Sequence, residues 1–134
     1  MTTVQHDGTT PKAARIDDLP GLFDGLMKLA RSELGITAFG VQVLDLPPSY
    51  TTQWHDETAT GQEELYVALR GSGAVLVDES TGTQLTPDVL IVVPPECGRA
   101  LQSGPEGLRV LVVGGTPGAA YEPPAWTETE AVAQ

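Results

Sequence analysis

The sequence predicts an all-β domain, a closed antiparallel barrel or sandwich preceded by one N-terminal helix. Three observations carry that expectation. After Gly35 the chain is a succession of short Val-, Ile- and Leu-rich runs separated by Gly, Pro, Asp and Ser at spacings of about 8 to 12 residues. Helical periodicity is confined to one stretch before Gly35, which leaves no helical crossovers to join parallel strands. A chain of 134 residues has the size of one domain, and its 15 Gly and 11 Pro supply the turns that many short strands need.

Residues 1–15 are polar, threonine-rich and without period, so they read as a flexible arm in which His6 is solvated. The folded domain spans 16–126 and opens with a helix over 18–34. There Leu19, Leu22, Phe23, Leu26, Met27, Leu29, Ala30 and Leu34 recur at three- and four-residue spacing, Asp17 or Asp18 caps the start and Gly35 stops it; Gly21 and Gly25 weaken it. The expected strands are Ile36 to Leu46, Thr51 to Trp54, Glu63 to Leu69, Ala74 to Asp78, Thr83 to Leu85, Val89 to Val93, Arg99 to Gln102 and Leu108 to Val113. Gly71-Ser72-Gly73 falls between two of them and reads as a hairpin turn. Val89 to Val93 and Leu108 to Val113 are almost continuously apolar, so both faces of each should be covered, by the helix or by a second copy of the chain. Thr116 to Trp126 is too rich in Pro and Gly for regular structure and reads as a strap on the outside of the barrel; 127–134 read as a flexible tail.

The charge is lopsided, with 18 acidic against 7 basic residues for a net −11. Lys12, Arg15, Lys28 and Arg31 are cancelled by Asp7, Asp17, Asp18 and Asp24, so the excess belongs to residues after 31. Such a surface repels phosphate backbones and anionic lipids, which argues against nucleic-acid and membrane partners. Cys97 is the only cysteine, so no internal disulfide forms; with no signal-like segment and no apolar run of bilayer length, the reading is a cytoplasmic protein. Phosphate-cradling, dinucleotide-binding and nucleophile-elbow motifs are absent from the sequence.

At Glu63 to Gly73, EELYVALRGSG, and at Asp88 to Leu101, DVLIVVPPECGRAL, the chain resembles the two motifs of the cupin superfamily. ARSELGITAFGVQVLDLPP, GQEELYV, GPEGLRVL and GGTPGAAYEPP extend the likeness to small single-domain cupins over most of 17–126. The resemblance implies an antiparallel jelly-roll (cupin) barrel, a homodimer, and a metal near the barrel mouth. It also places Glu64 inward, and strand alternation then sends Glu63 outward, so these adjacent carboxylates are not a catalytic pair.

The usual cupin ligands are two histidines of an HxH element, the first-motif glutamate and a histidine of the second motif. Here the resemblance puts Glu57 and Ala59 at the HxH positions and Arg99 at the last, leaving Glu64, so the metal motif is degenerate. His55 and Glu57 are two residues apart and face the same way on an extended strand. With Glu64 they compose a one-nitrogen, two-carboxylate set suited to Fe, Mn or Zn. Against it stands an Arg99–Glu64 pair in which a fixed guanidinium replaces the cation, and this metal-free alternative is the better supported.

Cys97 and Arg99 are two positions apart, so both can face the barrel in an extended segment. Arg99 is then a candidate to hold a substrate anion, with Cys97 nearby either as a ligand-facing thiol or as core filling. Tyr66 shares the face of Glu64 and either lines the pocket or packs in the core; Trp54 is a pocket wall or an oligomer contact. Two functions follow. One is an enzyme that isomerises, cyclises, eliminates from or oxidises a small organic molecule by acid/base or metal-assisted chemistry, with Glu64 as base or metal ligand and Arg99 stabilising negative charge. The other is a metal-free, non-catalytic cupin that binds or senses such a ligand.

Overall fold

Two long strands organise the molecule, a computed structural model that describes residues 8–127. In chain order the elements are β1 (Gly21–Leu22), β2 (Met27–Lys28), α1 (Ala30–Leu34), β3 (Gly40–Leu46), β4 (Glu63–Leu76), β5 (Gly82–Leu85), β6 (Leu90–Val93) and β7 (Ala100–Gly115), with 3-10 turns at Ile16–Asp18 and Ala125–Thr127. All strand pairings are antiparallel. The first half of β4 lies between β6 and the second half of β7, which continues to β3; its second half lies between β5 and the first half of β7. The expected all-β antiparallel architecture is the one observed.

Gly71-Ser72-Gly73 is not the hairpin turn that its composition suggests. β4 runs straight through it, with irregularities of register against β7 at Ala68/Arg70 and Gly71/Gly73. A Cβ on Gly71 or Gly73 would sit 2.3 or 2.2 Å from a backbone oxygen of β7, so only glycine lets the two strands approach there while both bend. Arg99 to Gln102 and Leu108 to Val113 are likewise one strand. Thr51 to Trp54 forms no strand, only isolated bridges of Thr51 to Gln102 and His55 to Arg99.

The helix expected over 18–34 is confined to Ala30–Leu34, closed by Gly35 in the left-handed conformation. Residues before it reverse direction as the β1–β2 hairpin, which adds to the edge of β3 through Met27 opposite Leu44 and Lys28 opposite Val43. The three- and four-residue recurrence of leucines was shared by a chain that turns twice. Pro20, which suits the first turn of a helix, stands just before β1 instead; Gly21 and Gly25 disfavour a helix interior, and Phe23, Asp24 and Gly25 all take positive φ at the hairpin tip. Leu19 and Ala30 are still buried, against Val41 with Ile16, Ile36, Leu111 and Val113 alongside, so the segment covers one outer sheet face without being a helix.

The main core, Leu46, Tyr66, Ala68, Val75, Leu85, Val93, Leu101, Leu108 and Val110, fills the space between the two halves. Within the single chain one side of β6 is left open, where Leu90 is 70% and Val92 61% exposed. Residues 8–11 and 13–15 are exposed and outside any helix or strand, whereas His6 and the rest of the arm lie outside the described residues, as does the tail after Thr127. Thr127 itself is buried. No helix among the described residues is long and apolar enough to cross a membrane.

Candidate functional site

Inward-facing residues of three adjacent strands converge on one cavity of about 640 Å³. Register places Gly40 opposite Gly114, Gln42 opposite Val112, Glu64 opposite Gly114 and Tyr66 opposite Val112, and all of these line it. The facing glycines make room. A Cβ on Gly40 would lie 2.6 Å from the Tyr121 hydroxyl, and one on Gly114 would lie 2.8 Å from the Gln62 Oε1. Tyr121, Pro124, Trp126 and Thr127 also line the cavity, so the C-terminal strap crosses its mouth and is not confined to the barrel's outside.

At the polar end, Glu64 Oε1 accepts from the Tyr66 hydroxyl at 2.7 Å and from Arg99 Nη2 at 3.0 Å. Arg99 Nε donates to the Tyr66 oxygen at 3.2 Å and Nη1 to the Cys97 carbonyl at 2.8 Å. The three side chains close a triangle in which each Arg99 nitrogen and the Tyr66 hydroxyl donate to an acceptor. Arg99 is 0% exposed and does not line the cavity. Its expected contact with a substrate anion is therefore replaced by a positioning role, since the guanidinium stands behind Glu64 and fixes it. The pair is not bidentate either, because two of the three donor groups go to Tyr66 and Cys97. Cys97 packs against the main core and is not on the cavity wall, in keeping with core filling over a ligand-facing thiol.

His55 is held opposite Arg99 by a pair of backbone bonds, Arg99 N–H to His55 O at 2.9 Å and His55 N–H to Arg99 O at 3.1 Å. Its Nε2 lies 3.4 Å from Glu57 Oε2 and 3.9 Å from Glu64 Oε1, and its Nδ1 lies 3.4 Å from the Gln53 carbonyl. Both ring nitrogens thus face acceptors, which favours the imidazolium. The Glu64 carboxylate raises the His55 pKa above its ordinary 6.5 despite partial burial. Burial pushes Glu64 up, but the hydrogen bonds from His55 and Tyr66 and the Arg99 charge outweigh it and hold the carboxyl below 4.5. Burial and the Glu64 charge raise the Tyr66 phenol above its usual 10.

His55, Glu57 and Glu64, nominated from spacing and resemblance, do come together, with one ligand atom from each within 4.8 Å of the others. Trp54 and Tyr66 line the cavity as well, and Tyr66 is also core. Sequence reasoning did not identify Phe23, Gln42, Tyr50, Gln62, Tyr121 or Trp126 as wall residues. One signal was available in hindsight. The chain has only two Trp, three Tyr and two Phe, and all but Phe39 line this one cavity.

The architecture places the chain among cupin-fold proteins. It is similar to a cupin protein from Bacteroides fragilis, with 17% identity, a TM-score of 0.64 and coverage of 87% of this chain and 92% of that one. An RmlC-like cupin protein from Desulfovibrio desulfuricans matches with 18% identity and a TM-score of 0.57 over 84% of this chain and 96% of that one. A conserved protein with a double-stranded β-helix domain from Klebsiella pneumoniae gives 15% identity and a TM-score of 0.53, covering 65% and 77%. Neither a protein-family model nor a curated protein matches the sequence. At these identities the likeness establishes the cupin fold.

Proposed function

We propose that this cupin-fold protein binds a small organic molecule in the cavity that Trp54, Tyr66 and the C-terminal strap enclose. The observation that carries the reading is the concentration of aromatic side chains there, in a chain that uses almost none elsewhere. Its volume is that of pockets which hold drug-sized ligands. Both tryptophans line it, so the whole tryptophan emission reports on occupancy. A fragment panel should contain compounds that change that emission and raise Tm, and Tyr121→Ala should abolish both responses. A panel that moves neither, or acts equally on the variant, would overturn the reading.

A second reading, catalysis by proton transfer, is favoured by the placement of His55. Glu64 accepts from Tyr66 and Arg99 and is held anionic, which makes it a weak base; His55, half-exposed at the cavity, is the group able to take and return a proton. Elimination or isomerisation α to a carbonyl are reactions of this type. His55→Asn should retain ligand binding and lose turnover of any substrate found, whereas unchanged turnover would leave binding alone as the function.

The ligand set fits a divalent metal poorly. Glu57, Glu64 and Arg99 together carry one negative charge, which a single positive charge balances, whereas a dication would stand beside a buried guanidinium already bonded to Glu64. Protein purified without chelators should contain substoichiometric Fe, Mn and Zn by elemental analysis. A stoichiometric metal that is lost on His55→Ala would reverse this conclusion. The open face at Leu90 and Val92 is where a second copy of the chain is proposed to pack; Leu90→Glu should yield a monomer by light scattering where the parent is a dimer.

A further inference from the structure

The cavity wall carries two carboxylates and no Lys or Arg. Among the described residues that line it, Glu57 and Glu64 are the acidic groups and His55 is the basic one, although the chain has seven Lys and Arg. The guanidinium nearest the site is wholly buried behind Glu64 with its donors engaged by Tyr66, Cys97 and Glu64. A ligand carboxylate or phosphate entering here would meet two carboxylates and no fixed cation, inside a protein of net charge −11. His55, the wall group able to become cationic, is aimed at those same carboxylates.

Two further observations point to the opposite ligand charge. Phe23, Tyr50, Trp54, Tyr121 and Trp126 surround the cavity, and Trp, Tyr and Phe are the side chains whose π-faces attract organic cations while still burying an apolar body. Gln62 is 9% exposed and lines the cavity beside Gly114, where its amide oxygen offers an acceptor to a ligand N–H.

We infer that the cavity recognises an organic ammonium ion with an aryl or alkyl body, the charged nitrogen directed to Glu57 and Glu64 and the body held among the aromatic side chains. The inference rests on the proposal that the cavity is a ligand site, and it adds the ligand's charge.

The test uses three probes that share one body and differ in charge: 2-phenylethylammonium, 2-phenylethanol and 3-phenylpropionate, titrated by tryptophan emission and calorimetry at fixed pH and low salt. The ammonium should bind most tightly, with the alcohol at least about 10-fold weaker and the carboxylate weaker still. Glu57→Gln, on an accessible segment of the wall, should weaken the ammonium by about 10-fold and leave the alcohol unchanged. Glu63→Gln, on the outward side of β4, should change neither. If the alcohol or the carboxylate binds as well as the ammonium, or Glu57→Gln has no effect, the cation assignment fails while the cavity remains a ligand site. If none of the three perturbs either tryptophan, the assignment fails together with the claim that bodies of this size enter the cavity.

Discussion

Arg99 and Arg109 each join distant parts of the chain through carboxylates, and they do so in opposite ways. Arg109 forms a fork on Asp45, with Nε to Oδ1 at 2.7 Å and Nη2 to Oδ2 at 2.9 Å, and adds Asp17 of the N-terminal segment; its own side chain is 10% exposed, but both carboxylates reach solvent and Asp17 is largely exposed. Arg99 is fully buried and distributes its donors over a carboxylate, a phenol and a carbonyl. Arg109, whose partners reach solvent, uses the geometry that maximises attraction to one carboxylate. The buried one uses the geometry that gives each of its three nitrogens, and the Tyr66 hydroxyl, an acceptor, because in the interior an unmatched group costs more than an ideal pair gains.

The comparison breaks most visibly at Arg99. Arg99→Leu should cost about 3 kcal/mol in urea unfolding, since it strips the largely buried Glu64 of the charge bonded to it and leaves only the half-exposed His55 at 3.9 Å. Arg99→Leu combined with Glu64→Leu should recover a good part of that loss. If the double variant is no better than the single, the pair is not what makes Arg99 costly to remove. Arg109→Ala should cost less, about 1–2 kcal/mol, because the freed Asp45 and Asp17 can be solvated in place. Equal losses at the two sites would mean that burial does not distinguish them.

Titration sharpens the contrast further. His55 is raised above 6.5 by Glu64, so its contribution is fully present below pH 6.5 and is lost as pH rises through its folded value. The imidazole is half-exposed, and its share of stability should be under about 1 kcal/mol. NMR of the His55 ring should give a pKa above 6.5 that falls in Glu64→Gln; a value that does not move would remove Glu64 as the cause. Asp17 behaves in the opposite sense. Its bond to Arg109 holds the carboxyl below 3.8, so that contribution is present above 3.8 and is lost as pH falls through the lower folded value. The site around Arg99 therefore responds near neutrality and the one around Arg109 only in strong acid.

The same two regions mark what was legible in the sequence. Glu64, Arg99, His55 and Glu57 could be placed together because strand alternation and motif spacing fix which residues share a face, and β4 kept that alternation through Glu64, Tyr66 and Ala68. Segment 18–29 could not be placed. Its leucines satisfy a helical period, but which of Leu19, Leu22, Leu26 and Leu29 is buried depends on the edge of β3, which lies more than ten residues further along. The glycines were the local clue that a turn would win. The aromatic wall was equally hidden, because Tyr50, Tyr121 and Trp126 come from segments with no repeating pattern, Phe23 from one whose pattern pointed to a helix, and they meet only when the chain closes. Gly71-Ser72-Gly73 shows the limit of local turn chemistry: a composition that suits a hairpin also suits the point where two long strands bend past each other.

The smallest expected effect separates charge from burial in holding the N-terminal segment. Asp17→Asn removes the negative charge facing Arg109 but leaves the Asp45 fork intact and Leu19 buried in its cluster with Ala30 and Val41. If apolar burial docks this segment, Tm should hardly change, and amide exchange should quicken only around the Ile16–Asp18 turn. Added salt, which screens an exposed pair much more than a buried one, should reproduce the same local loosening in the parent protein. Leu19→Ala should then loosen the whole stretch through Ala30, because it removes the contact that carries the docking. Should Asp17→Asn cost as much as Leu19→Ala, the Arg109 cluster would have to be counted as the anchor of the segment, and the distinction between a costly buried arginine and a dispensable one whose partners reach solvent would no longer hold.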